Sequence, residues 1–280
     1  MEWPKLKNII IIMLSCVNVF LLVLVLHRQQ ESQRYSESAR EDAITVLWNT
    51  CRIELDRTLL PEDTELVPMT VERDPALEQR QAAALLGTLT GTPTDSMRYE
   101  GVKGSAQFYI NGAFSAEFAE GAYPVGEAAP EDFALSLLER LEVEGEVLSA
   151  ETDAWPRRAV VVLRQSWDGS PIFDCTATLL FQDGELREIQ RDVSRRLVGT
   201  PQALSGGSCL DIVTLLLRFA DYVKQNSRVC SEITGFTAGY ALDAQSEPTQ
   251  LVPTWYVTTD NGAYYWNAVT GDIRPEQPDA

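Results

Sequence analysis

The chain has 280 residues, 45% of them hydrophobic and 9% aromatic, with 41 acidic against 23 basic side chains for a net charge of −18. That apolar content excludes a largely disordered chain. The acidity excludes a surface for nucleic-acid phosphates: beyond residue 28 only Lys103 and Lys224 represent lysine, and the arginines are interleaved with carboxylates.

Residues 1–8 form a short head carrying Lys5 and Lys7. Ile9 to Leu26 then runs for 18 residues without a charge, and His27 and Arg28 follow. At ~1.5 Å per residue such a helix approaches the ~30 Å hydrocarbon core of a bilayer. A cleavable signal peptide would be shorter and would end at a small-x-small site, whereas His27-Arg28-Gln29-Gln30 stands here. The expectation is a retained transmembrane helix over 9–26, with the N-terminus cytoplasmic and the C-terminal body extracytoplasmic. Residues 1–28 hold three basic groups and one acidic group, so the remainder carries 20 against 40. Asn8, Ser15 and Asn18 fall within an arc of ~80° on that helix. Two readings of this polar stripe stand: contact with partner helices, or Ser15 bonded to its own backbone and Asn8 resting in the interface.

Beyond the anchor, Gln33 to Cys51 reads as a helix from the spacing of Ala39, Ala43, Val46, Leu47 and Cys51. Asp74-Pro75 opens a second helix that ends at Gly87. Ser105 to Ile110 and Ala113 to Phe118 flank Asn111-Gly112, the signature of a type I′ hairpin. Pro130 starts a third helix, which Gly145 ends. Ala159–Gln165, Cys175–Phe181 and Leu186–Arg191, separated by Asp168-Gly169 and Asp183-Gly184, form an antiparallel meander. Ser208 with Asp211 marks a fourth helix running through Lys224 with a broad apolar face, and strands return over Gly235–Leu242 and Thr254–Asn267. A helix followed by antiparallel strands thus occurs twice, which implies an α+β architecture.

Local chemistry is sparse. The sole histidine is His27, so the expected body contains no imidazole triad or histidine metal site. No phosphate loop, dinucleotide fingerprint or nucleophile elbow occurs, and Gly206-Gly207 reads as a plain loop. A carboxylate pair for glycoside hydrolysis stays open as an enzyme reading, although no motif places one. Cys209 and Cys230 flank a helix too long for them to bridge, and Cys51 and Cys175 read as buried thiols. Near the end, alternation puts Trp255 and Val257 on one face of a hairpin and Tyr256 and Thr258 on the other. Core packing is the main reading of these aromatics and a ligand groove the other.

Three segments resemble the YycI (WalI) family of membrane-anchored regulators of the YycFG (WalRK) two-component system. They are the start, MEWPKLKNIIIIMLSCVNVFLL; the middle, QSWDGSPIFDCTATLLFQDGELREIQ; and the end, PTWYVTTDNGAYYWNAVTGDI, with Pro253, Trp255, Gly262, Tyr265, Asn267, Ala268, Thr270 and Gly271. The likeness to YycH, a larger sister protein, is the nearest alternative. The resemblance implies two PepSY-like domains of helix plus antiparallel sheet outside the cell, no catalytic residues, no cofactor and no metal. It implies contacts with a YycG (WalK)-type sensor histidine kinase, a YycH-like protein and the lipid bilayer, and control of cell-wall turnover. The expected map is a stalk and connecting segment over 27–104, a first α+β domain over 105–200, a second over 201–274 and a disordered tail over 275–280. The function expected is non-enzymatic regulation of the kinase, and the other reading is a stand-alone PepSY-type binding or inhibitory module.

Overall fold

The computed structural model describes residues 37–276 apart from 91–96, 127, 154, 191, 192, 245 and 247, together with residue 35 and a few positions between 13 and 22. Asn8, Ser15 and most of the apolar run lie outside the described residues; Asn18 is helical and exposed. Among the described residues, no helix is long and apolar enough to cross a membrane.

The chain is a mixed α+β structure built on one 14-stranded sheet. Its backbone is a pair of matching units. The first is α3 (Pro130–Arg140) followed by β6 (Gly145–Asp153), β7 (Arg158–Trp167), β8 (Ser170–Gln182) and β9 (Glu185–Ile189); the second is α4 (Ile212–Gln225) followed by β11 (Glu232–Asp243), β12 (Thr249–Thr259), β13 (Gly262–Asn267) and β14 (Ile273–Pro275). Within each unit, consecutive strands pair antiparallel. The units meet where Tyr240 of β11 lies beside Ile172 of β8 in parallel.

Local chemistry explains these elements. Asp168 and Gly169 both take positive φ, at 49° and 72°, as do Asp183 and Gly184, at 51° and 73°. Those are the type I′ turns whose twist matches a hairpin. Both repeated helices end alike. Glu142 and Ser227 adopt positive φ, and the amide that follows each reaches back five residues, Val143 to the Leu138 carbonyl at 3.0 Å and Arg228 to that of Val223 at 3.1 Å. This closure satisfies carbonyls that a helix end otherwise leaves bare.

Segments before the repeats complete each unit. α2 (Pro75–Leu86), capped by Asp74, and the strands β3 (Arg98–Gly101), β4 (Gly104–Phe108) and β5 (Phe114–Phe118) extend the first, with β5 pairing to β9. Its core joins Leu85 and Leu86 of α2 and Leu137 of α3 to Phe108, Val161, Leu179 and Phe181 of the strands. The second unit receives α1 (residues 37–51) and β1 (Glu54–Leu55), which pairs parallel to β11. Ala43 and Leu47 of α1 are buried with Leu216, Phe219, Trp255 and Trp266. β2 (Met69–Val71) sits between β12 and β10 (Pro201–Ala203). A third cluster, with Val71, Ile172, Cys175, Tyr240 and Leu251, fills the junction.

Several sequence expectations change. The described residues of the 27–104 interval are shared among all three core clusters: α1 and β1 join the second unit's, α2 and β3 the first unit's, and Val71 of β2 the one at the junction. Asn111-Gly112 does not make a type I′ turn. Only Gly112 has positive φ, at 83°, and the Gly112 amide bonds the Tyr109 carbonyl at 3.0 Å while Asn111 Oδ1 accepts from the Ala113 amide at 3.1 Å. The loop is therefore longer than two residues, with Phe108 opposite Phe114. Gly145 begins β6 rather than ending α3. The cap of α4 is Asp211, whose carboxylate accepts from the Thr214 amide at 2.6 Å, and not Ser208. Pro275 and Glu276, expected in the tail, belong to the folded body, and 277–280 lie outside the described residues.

Candidate functional site

The seam between the units brings together aromatic and charged side chains on the sheet face away from α1 and α4. Gly239 creates it. A Cβ there would stand 2.5 Å from the Pro171 carbonyl oxygen and 2.7 Å from the Phe173 ring, so only glycine lets Phe173 of the first unit lie across β11. Phe173 thereby reaches two tyrosines of the second unit, with ring centroids 5.7 Å from Tyr256 and 5.5 Å from Tyr265, themselves 5.1 Å apart. These separations are those of favourable aromatic pairs.

Charges rim the trio. Arg274 of β14 lies 4.8 Å over Tyr265 and bonds Asp174 at 3.0 Å, and Asp174 also accepts from the Leu242 amide at 3.0 Å. One carboxylate therefore ties β8, β11 and β14. Arg164 of β7 lies 5.8 Å over Phe173. Both tyrosine hydroxyls donate to Glu276, at 2.9 Å from Tyr256 and 3.3 Å from Tyr265. Burial, reinforced by that carboxylate, pushes the Tyr256 phenol up to about 12 and raises Tyr265 as well. The arrangement is suited to holding two units in register and to presenting π faces and hydrogen-bonding groups to a partner. A shallow groove of about 270 Å³ beside it is lined by Asp243, Thr254, Asn267, Asp272 and Arg274.

The residues singled out at the end of the sequence divide between the two faces. Trp255 is buried in the core beneath α4, while Tyr265 belongs to the seam. The alternation expected for Trp255 with Val257 and Tyr256 with Thr258 holds, because Trp255 and Val257 are buried and the other two are half-buried. Gly262, with φ of 114°, follows the turn between β12 and β13. Pro253 contributes its carbonyl to the Ala268 amide at 2.9 Å. Asn267 organises the loop that follows. Its Oδ1 accepts from the amides of Val269 and Thr270, each at 2.9 Å, and its own carbonyl accepts from Gly271 at 2.8 Å. Gly271 has φ of 76° and its Cα faces Arg218 of α4, which donates to the Thr270 carbonyl. The Leu210 amide bonds Ala268 O at 2.7 Å. This end segment thus fastens α4 to its own sheet.

The four described cysteines, Cys51, Cys175, Cys209 and Cys230, are free thiols. Burial raises the thiol of each, and Cys175 most plainly. Among the described residues no three His, Cys, Asp or Glu side chains gather in a way that could hold a metal ion. Sequence reasoning did not find Phe173, Asp174, Arg274 or Glu276. Pro171-Ile172-Phe173 lay inside a family-like segment, but their roles depend on a crossing at Gly239 that no local pattern signals.

No family model matches the chain, and no curated protein matches it. Among solved structures it is similar to the crystal structure of YycH from Bacillus subtilis, at 12% identity and a TM-score of 0.37, over 77% of this chain and 51% of that one. The chain therefore spans about half the length of that structure.

Proposed function

We propose that the chain is a non-enzymatic, membrane-anchored accessory regulator of a sensor histidine kinase of the YycG (WalK) type, acting in cell-wall homeostasis beside a YycH-like protein. The N-terminus is cytoplasmic in this reading and the body is extracytoplasmic. The observation that carries it is the closing segment. The residues most specific to the YycI resemblance, from Pro253 to Gly271, act together as one hairpin and an Asn267-centred loop. A further support is mechanical. α1 starts at residue 37, with ten residues between it and the apolar run, and buries Ala43 and Leu47 against the second unit, so in this reading a displacement of the body is passed toward the anchor. For that displacement to regulate, the anchor must contact two kinase states with unequal energy.

The test is capture of the full-length chain from membranes, alongside a version whose residues 9–26 are replaced by an unrelated transmembrane helix. A sensor kinase that co-purifies with the first and is lost from the second is the expected result, with Asn18→Leu weakening capture while the body stays folded. Capture of the kinase by neither version overturns the reading. Equal capture of a soluble or wall ligand by both favours the stand-alone PepSY-type module, to which the open seam face lends itself.

A further inference from the structure

The two repeated units carry the same irregularity in their first hairpins. In the second unit the pairing of β11 with β12 shifts register between Ile233 and Gly235; in the first, that of β6 with β7 shifts between Val147 and Ser149. Matching the bulges sets Ile233 against Val147, Glu232 against Glu146 and Ser231 against Gly145. At that point the second unit takes in a further strand. β1 lies parallel to β11 with Leu55 beside Ile233, and the Glu54 amide donates to the Ser231 carbonyl at 2.8 Å. Leu55 is thereby buried, and Ile233 is wholly covered at 0% exposure.

The matching place on β6 has the same backbone groups and, among the described residues, no strand beside it. The Glu144 carbonyl accepts from the Ser166 amide at 2.8 Å. In an antiparallel ladder the next residue and the one two further on, Gly145 and Val147, therefore turn their amides and carbonyls away from β7. Val147 is half-buried where Ile233 is covered, and Leu148 beside it is 49% exposed. A bulge interrupts a long ladder but leaves room for a short one, since β11 receives β1 just before its own.

Charge selects the kind of strand that fits. From 139 to 153 the chain carries Glu139, Glu142, Glu144, Glu146, Glu151 and Asp153 against Arg140 alone. Arg164 engages Glu146 at 2.6 Å and Arg157 engages Asp153 at 2.9 Å; among the described residues no cation pairs with the other four. A second copy brought edge to edge would set the same carboxylates against these, which is unfavourable, whereas a basic strand complements them. We propose that the edge of β6 at Gly145–Val147 is a docking site for an extended basic segment of another protein. The segment adds parallel to β6 as β1 does to β11, donating an amide to the Gly145 carbonyl and accepting from the Val147 amide. An apolar side chain then lies beside Val147 and Leu148, and lysines or arginines face the flanking carboxylates. The site does not depend on the kinase reading above.

The full-length chain in phosphatidylcholine nanodiscs, titrated into a capped, fluorescent Lys-Val-Lys-Leu-Lys peptide at physiological ionic strength, tests this. Polarisation is expected to rise saturably above that of empty nanodiscs, and amide hydrogen exchange is expected to slow at Gly145–Val147. The same peptide N-methylated at its lysine amides keeps its charge and apolar groups but loses its edge hydrogen bonds. It is expected to bind at least about tenfold more weakly, as is a Glu-Val-Glu-Leu-Glu peptide. Val147→Pro, which removes an outward amide and no bond to β7, is expected to weaken binding to a similar degree. If that variant fails to fold, the contrast between the plain and N-methylated peptides on the natural chain decides. No saturable binding overturns the proposal. Equal binding of the N-methylated peptide, as for any polycation drawn to a chain of net charge −18, also overturns it, as does undiminished binding to a folded Val147→Pro protein. Slowed exchange at Gly145–Val147 on self-association without peptide would give the edge to a second copy and overturn it too.

Discussion

The two helix-and-meander units share an order of elements and the same helix ending, yet they differ in how they are closed. In the second, β11 receives β1 along the edge away from β12 and α1 lies against α4. In the first, the corresponding strand β6 pairs, among the described residues, only with β7, and its residues 148–153 are exposed. β6 is guarded instead by a bulge between Val147 and Ser149 and by Glu146, Glu151 and Asp153, devices that discourage edge-to-edge pairing. The difference teaches that closure is not a property of the repeated unit. It is conferred by segments outside it, and α1, the first described helix after the apolar run, belongs to the second unit. That unit is thereby the one nearer in sequence to the N-terminal segment, and the first keeps β6 as an edge.

The comparison breaks hardest at the centre of the closed unit. Trp266 is fully buried, 4.8 Å from Phe219 of α4 and 5.7 Å from Phe236 of β11. Trp266→Ala is expected to cost about 3–5 kcal/mol, read as a lowered denaturation midpoint, and to loosen α1 with the rest of that core. A cost below about 1 kcal/mol would mean that the closed unit is not the tighter of the two. Next in size is the seam. Gly239→Ala drives a methyl into the Pro171 carbonyl and the Phe173 ring, with an expected cost of about 1–3 kcal/mol from overpacking. Near-ultraviolet dichroism should record the loss of the Phe173, Tyr256 and Tyr265 packing. If unfolding then separates into two transitions, the units are coupled through this crossing; a single unshifted transition would show that the third core cluster alone holds them.

Much of this architecture was legible because its signals are local. Asp-Gly pairs at 168–169 and 183–184 can take positive φ at both positions, and α4 shows its apolar face in Ile212, Leu215, Leu216, Phe219 and Val223. Asn111-Gly112 misled for a physical reason: the Asn111 side chain bonds the backbone two residues on, which stabilises a wider loop as readily as a tight turn. β6 was invisible because Glu146, Ser149, Ala150 and Asp153 are poor strand formers, and pairing to β7 overrides their preference. The seam and the buried pair of Arg196 with Glu78 were hidden by distance along the chain. Arg196 and Glu78 are 118 residues apart, and nothing near either one announces the other.

The last and mildest test leaves the neutral protein untouched. Both Tyr256 and Tyr265 have phenols raised by burial and by their bonds to Glu276. A folded-state value above the unfolded one, which is about 10 for tyrosine, means that the native state holds its proton where the unfolded chain has lost it. The stability this contributes is therefore complete below pH ~10 and is lost as pH rises through about 12 for Tyr256, with Tyr265 also titrating above the ordinary range. Phenolate absorbance, compared with Tyr256→Phe, should show that Tyr256 ionises only in this upper window. Glu276→Gln keeps an acceptor but removes the charge, so it should bring the Tyr256 step to lower pH while burial still holds it above the unfolded value. If that step does not move, Glu276 does not clamp the tyrosine pair, and the seam rests on the Phe173 packing and the Asp174–Arg274 pair.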